Sequence, residues 1–206
     1  YYSRLMKVIV GISGASLGLF GIKTANALFD AKCDVCVIFS QNAKISLACE
    51  SLKNSTNFNP SSLKTATKAE LLAIGDEVIA QNLYSKINIE SEIWASPASG
   101  SSGFEAMIIA PCSINCLGKI ACGLSDSLLT RAASVMIKEQ RKLVLGVREM
   151  PLSIISLEQM SALAKLGVIM APPVLASYSG DEMQNFIIGK WLDILGVKND
   201  LYKRWE

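Results

Sequence analysis

Five short apolar runs, at residues 8–12, 35–39, 107–110, 143–147 and 168–170, recur along this chain, separated by segments with helical spacing. The runs are nearly continuous instead of alternating, as expected of strands covered on both faces. Helical patterns occupy 17–29, 43–52, 68–83, 114–122, 126–140, 157–166 and 181–195. Strand followed by helix, repeated, predicts an α/β fold with a parallel sheet, because parallel neighbours need a crossover long enough to hold a helix. Half of the 206 residues are hydrophobic and 18% are charged, which supplies the apolar mass for one well-filled core. The reading is a single domain over residues 6–206, with residues 1–5 an upstream remnant ahead of Met6. No apolar run reaches the roughly 18 residues of a membrane span and no secretory leader is recognised, so a cytoplasmic protein is expected.

Ligands of such sheets lie outside the carboxyl ends of the strands. The residues just past each run are therefore the informative ones. They are Ser13-Gly14-Ala15-Ser16, Ser40-Gln41-Asn42, Pro111-Cys112-Ser113-Ile114-Asn115, Arg148-Glu149-Met150-Pro151, and Pro172-Pro173 followed by Tyr178. Any one of these groups would serve as a cap or a turn. Together they bring polar groups to one edge of a hydrophobic domain. The stretch Gly11-Ile12-Ser13-Gly14-Ala15-Ser16 matches neither the dinucleotide fingerprint nor a P-loop. Its small residues allow close backbone approach, and Ser13 and Ser16 offer hydroxyls beside a helix start, so it reads as a phosphate cradle or as a plain tight turn. The segments 54–63 and 96–103 read as loops, the second a mobile one near the site.

The chain has no histidine, which excludes Ser-His-Asp and Cys-His catalysis and leaves acid–base work to Glu, Asp, Lys, Tyr, Cys or the substrate. Six cysteines are present, and Cys33 and Cys36 have C-x-x-C spacing. That spacing falls at a strand, where residues three apart point to opposite faces, so reduced buried thiols are expected and no metal site. A net charge of +2 gives no electrostatic case for nucleic acid.

Several blocks in this order carry a resemblance: Gly11 to Ser16, Ala110-Pro111-Cys112-Ser113, Leu128-Leu129-Thr130-Arg131-Ala132-Ala133, Lys138 to Arg141, Arg148-Glu149-Met150-Pro151-Leu152, and Pro172 to Tyr178. The chain resembles the UbiX-type flavin prenyltransferases from about Met6 to Trp205. The resemblance implies a Rossmann-like three-layer sandwich with flavodoxin-like topology. It also implies metal-independent transfer of a dimethylallyl group from dimethylallyl phosphate to reduced FMN, with the prenylated product serving a UbiD-type decarboxylase in ubiquinone-type or aromatic acid metabolism. It further implies a homo-oligomer, a dodecamer, with sites shared between subunits.

By resemblance, Gly14, Ala15, Ser16, Ser40, Ser113, Ile114, Asn115, Cys116 and Arg148 bind FMN. Ser16 also lies near the reacting centre, and Glu149 handles the proton. Glu50, Arg131, Lys138, Tyr178, Lys190 and Trp205 match positions around the prenyl phosphate. Read without the resemblance, Arg131 and Lys138 are a solvated helix face, Tyr178 a corner residue and Trp205 a packing anchor. Chemistry supports the catalytic roles, because an allylic phosphate departs only when its charge is neutralised. The chain departs from the family at Asn115-Cys116, where Lys-Thr is common, and at Lys190, where Arg is frequent. Phe104 is the candidate stand-in for an aromatic residue that the family carries near position 102. The alternative functions are an FMN-dependent cysteine decarboxylase and a non-catalytic flavin carrier.

Overall fold

The computed structural model describes residues 5–54, 60–174 and 180–204. Tyr178 and Trp205 lie outside the described residues. The strands are β1 (Lys7–Ile12), β2 (Asp34–Phe39), β3 (Asn88–Ile89), β4 (Ala106–Cys112), β5 (Lys142–Val147) and β6 (Ile169–Met170). The helices are α1 (Gly18–Asp30), α2 (Gln41–Asn54), α3 (Pro60–Thr65), α4 (Lys68–Asn82), α5 (Ile114–Ala121), α6 (Leu128–Lys138), α7 (Ile154–Lys165) and α8 (Asp181–Leu195). The six strands form one sheet in the order β3-β2-β1-β4-β5-β6, and every pairing is parallel. This is the α/β, flavodoxin-like architecture that the alternation and the resemblance implied.

Each central strand feeds two cores. Val8, Val10 and Ile12 of β1 pack with Phe20, Leu28, Leu47, Ile79 and Trp191, whereas Ile9 joins Leu117, Leu129, Met136 and Leu163 on the other face. A period of two thus operates inside runs that look uniformly apolar, because both faces are buried. Each such fully buried aliphatic side chain contributes about 1.5–3 kcal/mol relative to exposure. Cys33 enters the first core and Cys36 the second, so the C-x-x-C thiols do lie on opposite faces of the sheet. Burial pushes the Cys36 thiol up to about 12.

Helix starts follow their caps. Ser153 accepts the Ser156 N–H, so α7 begins three residues before the apolar spacing suggested. Ser127 and Thr130 form a reciprocal box that starts α6. Residues 96–103 are not a free loop. They hold two turns of 3-10 helix, tied down by Arg131, whose Nε donates to Ala98 O at 3.1 Å, and by Arg141, which donates to Gly100 O and Phe104 O. Residues 60–65, which fall partly in the other expected loop, form the short α3.

Candidate functional site

The strand order reverses direction between β1 and β4, and ligands of open parallel sheets bind at such a switch point. A cavity of about 290 Å³ opens there. Its walls are Ser13 and Gly14 after β1, Ser40, Gln41 and Asn42 after β2, and Ser113, Asn115, Cys116 and Lys119 from α5. Ser127, Leu129 and Thr130 complete it from the start of α6.

Three of these serines do two jobs. Ser40 Oγ accepts the Ala43 N–H at 3.0 Å, Ser113 Oγ accepts the Cys116 N–H at 3.3 Å, and Ser127 Oγ accepts the Thr130 N–H at 3.3 Å. Each hydroxyl caps the first turn of a helix that starts at the cavity. A hydroxyl that accepts one bond still has its own proton to donate. Three helix N-termini aimed at one space also carry partial positive charge. The result is a donor-rich concavity suited to a polyol or an anion.

Gly14 is needed for shape. A Cβ there would lie 2.5 Å from Asn42 Cβ, so the first turn and the start of α2 could not approach as they do. Lys119 adds a cation, paired with Asp126 at 2.6 Å. The hydrogen bond from Lys119 is the main reason the Asp126 carboxyl sits below its usual value. Lys119 and Ser127 were missed in the sequence. The available signal was the spacing of Asn115 and Lys119, four apart and so on one face of α5.

Ser13 does not offer a free hydroxyl as its sequence position suggested. Its Oγ donates to Pro111 O at 2.9 Å and accepts the Ser113 N–H at 2.7 Å. It fastens the end of β1 to the end of β4. Glu50 also has a local task, since its Oε1 accepts the Leu17 N–H at 2.8 Å. Leu17 holds φ 78° just ahead of α1, a left-handed conformation that costs a non-glycine residue about 1–2 kcal/mol. The carboxylate at that helix start offsets the strain.

Of the residues expected around FMN, the cavity gathers Gly14, Ser40, Ser113, Asn115 and Cys116. Ala15 is buried beside it, Ser16 is exposed in the same turn, and Ile114 is half-buried. Arg148 and Glu149 follow β5 and are exposed. The Arg148 N–H bonds Cys112 O at 2.9 Å, and Glu149 Oε1 accepts the Met150 N–H at 3.1 Å. The expected donor-side cations do not line this cavity in their own chain. Arg131 turns toward Ala98, Lys138 pairs with Glu139, and Lys190 lies 5.9 Å from the centre of the Tyr202 ring. Phe104 is buried in the second core and so is no cavity aromatic.

Residues 2–195 match the family described as Flavoprotein. A flavin prenyltransferase UbiX from Campylobacter jejuni is 44% identical over 206 residues, 98% of this chain and 99% of that one. The chain belongs to the flavoprotein family. Within that family it groups with the UbiX-type flavin prenyltransferases. The solved structure of AnUbiX (PadA1) with FMN and dimethylallyl pyrophosphate matches with TM-score 0.76 and 28% identity, over 98% of both chains. A dodecameric FMN-dependent UbiX-like decarboxylase from Escherichia coli O157:H7 matches with TM-score 0.75 and 32% identity, over 98% of this chain and 100% of that one. In this flavoprotein the switch-point cavity and the serine caps occupy the place where the topology expects the cofactor. Among the described residues, no helix is long and apolar enough to cross a membrane.

Proposed function

We propose that this chain transfers a dimethylallyl group from dimethylallyl phosphate to reduced FMN, and that the prenylated flavin serves a UbiD-type decarboxylase. The observation that carries this reading is the cavity at the β1/β4 switch point, walled by three serine-capped helix starts. The donor set fits FMN: hydroxyls and side-chain amides for a ribityl chain, helix N-termini and Lys119 for its phosphate, and a glycine where backbone must come close.

Gly14, Ala15, Ser16, Ser40, Ser113, Ile114, Asn115, Cys116 and Arg148 hold the flavin, and Lys119 joins them. Bound and reduced, FMN supplies the nucleophile that accepts the allylic carbon. The chain's own residues do the rest. The allylic C–O bond breaks, and Arg131, Lys138 and Lys190 neutralise the departing phosphate. Glu149 takes up the proton released from the flavin and can return it. Glu50 fixes the α1 start, and the phosphate-binding roles of Tyr178 and Trp205 rest on the resemblance.

These cations stand away from the cavity of their own chain, which supports a homo-oligomer in which neighbours complete one another's sites; the number, a dodecamer, follows the resemblance and the dodecameric UbiX-like relative. Support comes from the apolar side chains left open directly after Glu149: Met150, Leu152, Ile154, Ile155 and Leu157. Closure also protects an allylic cation from water. The free cysteines fit a reducing compartment, and the reaction is assigned to the cytoplasm.

The test is mass spectrometry of the flavin after anaerobic incubation of protein, FMN, reductant and dimethylallyl phosphate or pyrophosphate. The flavin should gain one dimethylallyl unit with at least one donor. Unchanged flavin with both donors would overturn the reading. Carbon dioxide release from a cysteine-terminated peptide would establish the decarboxylase alternative, and tight flavin binding with neither reaction would establish the carrier.

A further inference from the structure

The end of α6 carries a second construction that the flavin cavity does not use. The helix closes with Gln140 at φ 52°, the Arg141 N–H bonding Met136 O at 2.8 Å and the Gln140 N–H bonding Ile137 O at 3.1 Å. This helix-ending motif reverses the chain, so the Arg141 side chain runs back toward residues 96–104. There its two terminal nitrogens donate to Gly100 O at 2.6 Å and Phe104 O at 2.9 Å. Its guanidinium also lies 3.8 Å from Glu139 Oε2, while Glu139 Oε1 holds the Lys138 ammonium. The other end of the same turn is held by Arg131 through Ala98 O.

Of the two candidate phosphate cations, Arg131 is therefore joined to the serine-rich turn directly, and Lys138 is joined to it through Glu139 and Arg141. The turn carries Ser99, Ser101 and Ser102, with Ser99 and Ser101 exposed. Gly100 makes the junction possible, because a Cβ at that position would lie 2.4 Å from Glu139 Oε1. Lysine and arginine bind an anion well only when their long side chains are held in place, since free rotamers carry a large entropy.

We propose that Arg141 and Glu139 are positioning residues for the phosphate of the prenyl donor. They fix Lys138 and the 99–102 turn against α6, so that Arg131, Lys138 and the turn form one preset anion-binding face. This rests on the proposed prenyl transfer, which supplies the phosphate that the face receives. Neither residue touches the donor.

The experiment compares R141Q, R141K and G100A with the wild-type protein loaded with FMN. It uses steady-state kinetics with dimethylallyl phosphate, calorimetric titration with inorganic phosphate, and flavin titration. R141Q should raise the KM for the donor about tenfold and weaken phosphate binding in parallel, with kcat and FMN affinity nearly unchanged. R141K should recover part of the loss, since one ammonium can serve one of the two carbonyls. G100A meets the carboxyl and Cγ of one flexible side chain and no backbone, so it should fold normally yet move Glu139 and reproduce the KM shift. A merely structural role would instead lower thermal stability, FMN affinity and kcat together. Unchanged KM and unchanged phosphate affinity in R141Q and G100A would overturn the proposal, and if R141Q does not fold, G100A decides it. A wild-type protein that binds phosphate through this face but prenylates no flavin would overturn the transferase reading and leave the anion face standing.

Discussion

The flavin edge and the donor edge of this molecule are built differently. At the flavin edge the polar groups are committed within one chain: Ser13 locks two strand ends, three serines cap three helices, and Lys119 pairs with Asp126. The groups expected to meet the donor are exposed in their own chain, Glu149, Lys138 and Lys190 among them, and Met150, Ile154 and Ile155 are 85%, 68% and 63% exposed. Burial within the chain completes the first region, so it should bind its ligand as a monomer. The second offers charges and apolar surface that only a neighbour would cover.

The largest effect expected from breaking this contrast lies at Glu149. Glu149→Gln should leave FMN binding intact and slow prenylation by roughly 10²-fold or more, the scale of lost acid–base catalysis. Single-turnover measurement of flavin prenylation checks this, and near-normal turnover would remove Glu149 from the chemistry.

Next comes assembly. Ile154→Asp places a charge on an exposed apolar side chain, so the fold should survive while the oligomer dissociates. Light scattering should show a smaller species, and activity should fall about tenfold or more while FMN still binds. A fully active monomer would show that one chain suffices for both edges.

A smaller change tests the flavin edge alone. Gly14→Ala must push back the start of α2, because its Cβ meets Asn42 Cβ at 2.5 Å. FMN affinity should weaken about tenfold, with inorganic phosphate binding at the α6 end unaffected. Parallel flavin and phosphate titrations separate the two edges.

The smallest effect lies at Asp193, whose partner Tyr202 packs beside Lys190. Hydrogen bonds from Arg204 and then Tyr202 hold the Asp193 carboxyl down at about 2. A depressed value stabilises the fold above the ordinary 3.8, and that contribution is lost as pH falls through about 2. Asp193→Asn should lower Tm near neutral pH by about 2–4 °C and flatten its acid dependence between those values, with FMN binding unchanged; thermal unfolding followed across pH checks this.

The sequence alone determined the architecture. Uniformly apolar runs with helical spacing between them admit few packings other than a covered parallel sheet, and the rule for open sheets then selects the strand ends. The strand ends also supplied seven of the cavity residues, Ser13, Gly14, Ser40, Gln41, Asn42, Ser113 and Asn115, and the resemblance added Cys116. β3 escaped notice because two exposed residues carry no periodicity, and only backbone bonding to β2 defines them.

Tertiary structure alone decided what each polar group does. Ser13 and Ser16 look alike in the chain, yet only Ser13 meets Pro111 and Ser113, about a hundred residues away. Glu50 acts on Leu17 across two elements, and Lys119 reaches the cavity only because α5 starts at Ser113. Arg131 and Lys138 share a helix face in the sequence, but the 96–102 turn that Arg131 and Arg141 hold comes from another part of the chain. Local spacing fixes which way a side chain leaves its own helix or strand. What it meets there is set by contacts between elements distant in sequence, which no local pattern records.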